Sequence, residues 1–591
     1  MKSFFRILFG SCFGVLLAFA VLILIGSLVV GSIIRQSQDS VKVRSNSVLK
    51  LELNYQIPEK TNNTGAALYN YSNDPYLGVH EIIDLIRAAG EDRNIKGIYL
   101  QMEQVSLGNV MAEDIRDAIL AFRETGKFVY AYSGHYSYGQ HAYYIASAAD
   151  RIYLHPMGMV DFRGYSAMVP FFKGLLDKLD IKMETFYAGK FKGATEPFRL
   201  NELSDENKTQ IKEYISDLYE DFLQDISRTR HISVQNLKTS ANQLHGRNAQ
   251  LALANGLVDV IAFEDEIFDQ MRSDMDLSVD DPIHFISLTD FSTVHKTTRN
   301  YRISDKIAVV YAEGEIRHGK ESYGMIMDEP YMKILREIRR DDKIKGVVLR
   351  INSPGGDAFV SDIMWRELRL IRETGKPVTV SMGDLAASGG YYLACAADSI
   401  FAEENTLTGS IGVFGLVPNV EGFMNNKLGI HFDTVKTAKY STGLYNAFYP
   451  ISPEQAKYIQ ESVDSSYYLF LERVAESRNM GVEEVHEIAQ GRVWTGKRAL
   501  DIGLVDKVGC LEDAIQSAVN LAKLDEYRIT EYPRIKDPIQ KLFEDLFDQK
   551  IKTRSLLNFN SFIQPGEPIE TLLHIARNNS PQARLPFLVQ H

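Results

Sequence analysis

The chain is written twice. "NIKGIYL" at 94–100 pairs with "KIKGVVL" at 343–349, and "RETGK" at 123–127 returns unchanged at 372–376. "YYIASAAD" at 143–150 pairs with "YYLACAAD" at 391–398, "KLDIK" at 178 with "KLGIH" at 427, and "NGLVD" at 255 with "IGLVD" at 502. A collinear series at nearly constant spacing is a tandem duplication, with a period far too long for a solenoid. Whatever one half folds into, the other must fold into as well. Within each half, strand-like runs such as "IKGIYLQM" and "KIAVVYAEG" alternate with amphipathic stretches such as "MAEDIRDAILAFRETGK". That alternation predicts an α/β fold. The first repeat is expected over residues 36–275 and the second over 306–526. "DLSVDDPIHFISLTDFSTV", unmatched in the other half, places a connector at 276–305, and residues 527–591 read as a partly helical tail.

At 591 residues the chain is too long for one compact core, which agrees with two domains. A net charge of -12 offers no basic surface for nucleic acid. Three scattered cysteines, Cys12, Cys395 and Cys510, form neither a disulfide framework nor a zinc site. The N-terminus is distinctive: Ile7–Ile34 is uncharged and apolar over 28 residues, after Lys2 and Arg6. As a helix this run would reach roughly 40 Å, enough to cross a hydrocarbon core of about 30 Å. The small-x-small "AFA" at 18–20 lies inside the run rather than at its end, so an uncleaved transmembrane anchor over residues 1–35 is expected.

Duplicated domains keep what makes the fold, so chemistry is sought where the copies differ. The second copy carries "INSPGGDAF" at 351–359, where the first has "MEQVSLGNV". Gly355 and Gly356 could turn the backbone sharply and expose N–H donors, as an oxyanion hole requires, or form an ordinary tight turn. Ser388, in "DLAASGGYYLACAAD", stands before a helical run among small residues, either as an N-cap or as an approachable hydroxyl; Gln140 stands opposite it in the first copy. Ser410, in "TLTGSIGVFG", faces Phe162. Conversely, "YAGKFKGATEPF" in the first copy holds Lys192 where the second has Ser441, while Lys190 has a counterpart in Lys439. A serine nucleophile needs a base. No histidine adjoins Ser388 in sequence, His431 and His486 being the nearby downstream candidates for a Ser-His-Asp arrangement. A lysine whose pKa burial lowers can serve instead, and Lys192 is the lysine that only one half retains.

Taken together, "INSPGGDAF", "AASGGYYLACAAD", "TLTGSIGVFG", "KFKGATEPF" and "GRVWTGKRALDIGLVD" resemble the signal peptide peptidase A family, also called protease IV, in its long duplicated form. The resemblance runs from the anchor to about residue 525. It implies two crotonase-like, Clp protease-like α/β repeats in a membrane-anchored serine endopeptidase with a Ser/Lys dyad. Such an enzyme degrades signal peptides left after signal peptidase acts. By position, Ser388 would be the nucleophile, Lys192 the general base, and Ser410 the residue orienting the lysine. Gly356 and Gly389 would supply the oxyanion hole, with Gly355 shaping its turn. The resemblance further implies a homotetramer on the outer face of the bacterial cytoplasmic membrane, apolar peptides as substrates, and no cofactor or metal. Two other readings remain: a crotonase-type acyl-CoA enzyme, and a non-catalytic membrane scaffold.

Overall fold

The computed structural model describes residues 42–61, 63, 76–134, 136–295, 302–320, 322, 324–534 and 582–584, with Gly14 and Val21 alone from the N-terminal stretch. The rest of the expected anchor, Ile7–Ile34, lies outside the described residues. Among the described residues no helix is long and apolar enough to cross a membrane. Strands β1 (Ser47–Leu51), β2 (Ile95–Gln101) and β3 (Phe128–Ser133) are followed by β4 (Ser137–Tyr138), β5 (Arg151–Leu154) and β6 (Met159–Val160). After β7 (Lys182–Ala188) come β8 (Val260–Ile261) and β9 (His284–Ser287). The second half opens with β10 (Lys306–Glu313), β11 (Glu315–Arg317), β12 (Met325–Met327), β13 (Ile344–Ser353) and β14 (Gly355–Asp357). It continues through β15 (Val378–Ala387), β16 (Ser399–Ala402), β17 (Leu407–Gly409) and β18 (Val413–Asn419). Then follow β19 (Val493–Thr495), β20 (Lys507–Val508), β21 (Arg528–Tyr532) and, from the C-terminal stretch, β22 (Gln582–Arg584).

The duplication is visible strand by strand. The first sheet runs β8-β5-β3-β2-β1-β9, and the second contains the matching path β20-β16-β15-β13-β10-β21. Neighbours along both paths are parallel, and helices cover the faces, so a central strand such as "IKGVVLRINS" is buried almost throughout. Each sheet ends on a strand outside the boundary expected from sequence. β9 lies in the presumed connector yet pairs with β1, and β21 lies in the presumed tail yet pairs with β10. The two strands share almost no sequence, which hides their equivalence.

The repeated motifs have a common physical meaning. Lys127 of the first "RETGK" donates to the carbonyls of Ala89, Gly90 and Asp92, at the end of helix Val79–Glu91. Lys376 does the same for Ile338, Arg339 and Asp341, at the end of helix Asp328–Arg340. Each ammonium thus takes up carbonyls that the helix leaves unpaired. Arg123 and Arg372 reach the closing aspartates of the two "AAD" runs, Asp150 and Asp398, which accept the backbone N–H of Val129 and Val378. The buried hydroxyls of Tyr143 and Tyr391 donate to the carbonyls of Leu257 and Leu504, inside the two "GLVD" runs. What the copies share is a set of polar closures of one α/β unit.

A further sheet, ordered β12-β11-β14-β22-β18-β7, joins the halves. β7 comes from the first repeat and pairs antiparallel with β18 of the second along its whole length, from Lys182↔Asn419 to Ala188↔Val413. Phe186 and Ala188 of β7 pack into the second half's core. Helix Asp205–Arg230 adds ion pairs to the second half through Glu213–Arg492, Asp217–Arg498 and Asp221–Lys497. Elsewhere in the contact, the fully buried Arg350 of β13 donates to Glu59 at 3.0 Å, to Ser381 at 2.9 Å and to the Met382 carbonyl at 3.1 Å. Burial alone would push the Glu59 carboxyl up; Arg350 and His80 outweigh it and hold it at about 2. Asp384 nearby accepts the N–H of Val110 at the start of helix Asn109–Glu124, and burial raises its carboxyl to about 6. Arg350 is the guanidinium around which Glu59, Glu403 and Asp114 converge. Arg350→Ala, which strands buried carboxylates, is expected to cost about 3–5 kcal/mol, read as a lower urea midpoint. An unchanged midpoint would show that the cluster carries no stability.

Candidate active site

Ser388 sits where β15 ends and the short helix Gly389–Ala394 begins. It holds the N-cap position but makes no side-chain cap bond, and its backbone is strained, at φ 56° and ψ -114°. Non-glycine residues avoid that region unless the surroundings impose it. Here they do. The Ser388 N–H donates to the Gly409 carbonyl at 2.8 Å, its own carbonyl accepts from Tyr392, and flanking Gly389 and Gly390 are fully enclosed. Ser410 follows β17, the neighbour of β15, so the two serines leave adjacent strands side by side. Ser410 too has positive φ, 49°, and its N–H donates to the Arg492 carbonyl.

Lys192 arrives from the other repeat. The β7–β18 ladder carries the first-half chain to the Ser410 loop, and four residues after β7 the lysine turns inward. The Phe191 N–H donates to the Gln490 carbonyl, and Gly491 lies against the lysine backbone, where a Cβ would stand 2.7 Å from it. Gly491 also has φ +81°, so glycine is required there on two counts. Buried Gln210, on helix Asp205–Arg230, spans the same junction: its amide donates to the Phe191 carbonyl and accepts the Val493 N–H, both at 3.0 Å. Gln210 carries no motif in the sequence. Its only signal is a polar residue on the buried face of an amphipathic helix.

The result is a three-residue contact. Lys192 Nζ lies 2.8 Å from Ser388 Oγ, 3.0 Å from Ser410 Oγ and 3.0 Å from the Ser410 carbonyl oxygen. All three side chains are out of solvent, Lys192 at 1% exposure and both serines at 0%. Burial pushes the lysine pKa well below its ordinary value, with no carboxylate among the described residues offsetting it. A neutral amine has two N–H donors and one lone pair. That valence matches the contacts: Ser410 can accept both donors while the lone pair accepts the Ser388 hydroxyl.

The glycines lie beside this contact. Gly355 has φ +96°, and a Cβ on Gly356 would meet the Ile316 carbonyl oxygen at 2.0 Å. A Cβ on Gly389 would stand 3.2 Å from the Gly356 nitrogen, so the two glycines are immediate neighbours. The expected turn is also a strand: β14 pairs with β11. The remaining sequence candidates are elsewhere. Lys190 is exposed, with its ammonium against the Phe191 ring; Lys439 is exposed and paired with Glu454, and Ser441 is exposed. His431 is exposed, while His486 is bonded to the Tyr467 hydroxyl at 2.9 Å. In the first repeat, Phe162 is buried against Tyr143 and Phe222, so aromatic packing occupies the position corresponding to Ser410.

The model of Peptidase family S49 matches this chain at residues 121–278 and again at 371–525, one match per repeat. Protease 4 of Salmonella typhi is 36% identical over 479 residues, covering 79% of this chain and 76% of the relative. The chloroplastic serine protease SPPA of Arabidopsis thaliana is 33% identical over 495 residues, covering 82% and 70%. Among solved structures, a ClpP1 mutant from Listeria monocytogenes matches 35% of this chain and 94% of its own at 14% identity, with a TM-score of 0.23. By its two family matches and the extent of these relatives, the chain belongs to Peptidase family S49 in its duplicated form, and it is a serine protease.

Proposed function

We propose that the protein is a membrane-anchored endopeptidase working through a Ser388/Lys192 dyad assembled from both repeats, and that remnant signal peptides are its substrates. The observation that carries the dyad is the 2.8 Å contact between a buried, uncharged-prone amine and a strained serine hydroxyl 196 residues away. In this reading the amine takes the Ser388 proton as Oγ adds to the scissile carbonyl. The oxyanion accepts hydrogen bonds from the backbone N–H groups of Gly356 and Gly389. Lys192 then gives its proton to the leaving amine, the peptide C–N bond breaks, and the acyl group remains on Ser388. Water, deprotonated by the same amine, releases the acid and restores the serine. Ser410 fixes the lone-pair direction, and no metal or cofactor takes part.

Several finer points belong to the same proposal. The apolar run Ile7–Ile34 supports a single-pass anchor in the bacterial inner membrane with the catalytic region outside, facing peptides left in the bilayer. The duplicated parallel sheets suit the crotonase-like fold. The apolar side chains Leu428, Ile430, Phe432, Val435, Phe448 and Tyr458 are all exposed on one segment of a single chain, which supports their burial against further copies in a homotetramer.

Ser388→Ala should abolish turnover, and Lys192→Ala should lower kcat by about 10²–10⁴ with unchanged circular dichroism. Lys192→Arg, still cationic but unable to deprotonate, should be as inactive as the alanine variant; recovered turnover would mean that charge rather than basicity is needed. Since only the neutral amine acts as base, kcat/KM should rise with pH through the lysine's lowered pKa, and a flat profile from about pH 6 to 9 would refute the assignment. Gly491→Ala, which displaces the lysine backbone, should reduce kcat roughly 10²-fold while leaving Ser388 reactive toward a small acylating inhibitor. Loss of that labelling would show the damage to be general.

A further inference from the structure

Lys192 stands between two residues that are each held by the same helix, Asp205–Arg230. The Phe191 carbonyl accepts from Gln210, and Gly193 lies so close to Asn207 that a Cβ on it would meet Asn207 Oδ1 at 2.7 Å. A third group joins these two amides: Glu196, four residues beyond the lysine. Gln210 Nε2 donates to Asn207 Oδ1, and Asn207 Nδ2 donates to Glu196 Oε1 at 2.8 Å. Glu196 Oε2 accepts the Ser204 N–H at 3.1 Å, and Arg199 is its charged neighbour, 3.6 Å from Oε1. Glu196, Asn207 and Gln210 are all buried.

The polarity of this chain of bonds is fixed at both ends. Val493 presents an N–H, which only the oxygen of Gln210 can take; Glu196 presents carboxylate oxygens, which only the NH2 of Asn207 can meet. Each amide therefore has one orientation, and Gln210 keeps an N–H for the Phe191 carbonyl. A reversed amide would set oxygen against oxygen beside the lysine.

The second repeat shows what such a helix needs on its own. Helix Pro453–Arg478 has the same 26 residues and the same serine cap. There Gln455 turns back to the N–H of its own cap, Ser452, and closes an ordinary capping box. Asn207, its counterpart, leaves the Ser204 N–H to Glu196 and bonds that carboxylate instead. The positions of Glu196 and Gln210 hold Tyr445 and Tyr458 in the second copy, where Ser441 replaces the lysine. Burying a carboxylate costs the fold free energy, and at this position only the copy that carries Lys192 does it.

We propose that Glu196, Asn207 and Gln210 are positioning residues for the reaction: the carboxylate sets the direction of the two amides, and the amides hold the Lys192 loop so that its amine meets Ser388 and Ser410 away from water. The proposal rests on reading Lys192 as the base.

The polarity can be broken and then restored with little change of shape. Glu196→Gln leaves one oxygen for two donors, so an NH2 must face either Asn207 or the Ser204 N–H. Adding Asn207→Asp moves the charge one place along: the new carboxamide accepts from Ser204 and donates to the new carboxylate, which accepts from Gln210. In the full chain, Glu196→Gln should lower kcat about tenfold with KM unchanged. It should also move the rising limb of kcat/KM about one unit toward higher pH, since water reaching the amine favours its charged form. The double variant should restore the limb and bring kcat to within about threefold of the parent. A Glu196→Gln chain that melts lower but keeps the parent's limb would overturn the proposal, because the network would then be structural only. So would a double variant as impaired as the single one. If Glu196→Gln does not fold, the double variant decides: it should fold with the parent's limb, and a displaced limb or an unfolded chain would overturn the proposal. A readout without turnover separates this from the dyad. In Ser388→Ala chains, Lys192 should resist an amine-acylating reagent, as read by peptide mass spectrometry; Glu196→Gln should expose it, and the double variant should protect it again. That labelling pattern with a flat parental pH profile would refute the dyad and keep the brace, whereas equal labelling in all three chains would refute the brace.

Discussion

The arrangement depends on keeping an amine dry. Lys192 makes its contacts with Ser388 and Ser410 at 1% exposure, and no carboxylate among the described residues compensates the charge that burial denies it. A lysine kept this way is costly to the fold, because leaving water disfavours its charged form. The enclosure is therefore overdetermined. A seven-residue antiparallel ladder, three ion pairs from one long helix, the Gln210 bridge and a glycine pressed against the lysine backbone all hold the same junction closed.

The duplication explains how such a junction came to lie within one chain. Two copies of one α/β unit retain the polar closures that make the unit, in the paired roles of Lys127 and Lys376, Asp150 and Asp398, and Tyr143 and Tyr391. They diverge at the positions that make up the candidate site. In the first copy, Phe162 packs on Phe222 at the position where the second places Ser410. In the second, Ser441 is solvent-exposed where the first turns Lys192 inward.

Much of this was legible in the residues. The repeat predicted the matched sheets, and the asymmetry between copies singled out Lys192, Ser388 and Ser410 before any geometry. The edge strands β9 and β21 were not legible, because an edge strand is specified by a partner rather than by a motif, and "HFIS" and "RITEY" share little. Gln210 was hidden for a similar reason: its importance lies in what it spans, Phe191 on one side and Val493 on the other, which are distant in sequence. The separation of Lys192 from Ser388 likewise kept their contact out of reach of any spacing argument.

The order of the halves along the chain has an effect during synthesis. A ribosome that has released only the first repeat has produced Lys192 but neither Ser388 nor Ser410, and β7 still lacks the strand it pairs with. Under the proposed Ser388/Lys192 dyad, the nascent polypeptide has no complete reaction centre until β18 emerges and docks against β7. The proposed reactivity is thus deferred until both repeats have been made and β7 has met β18.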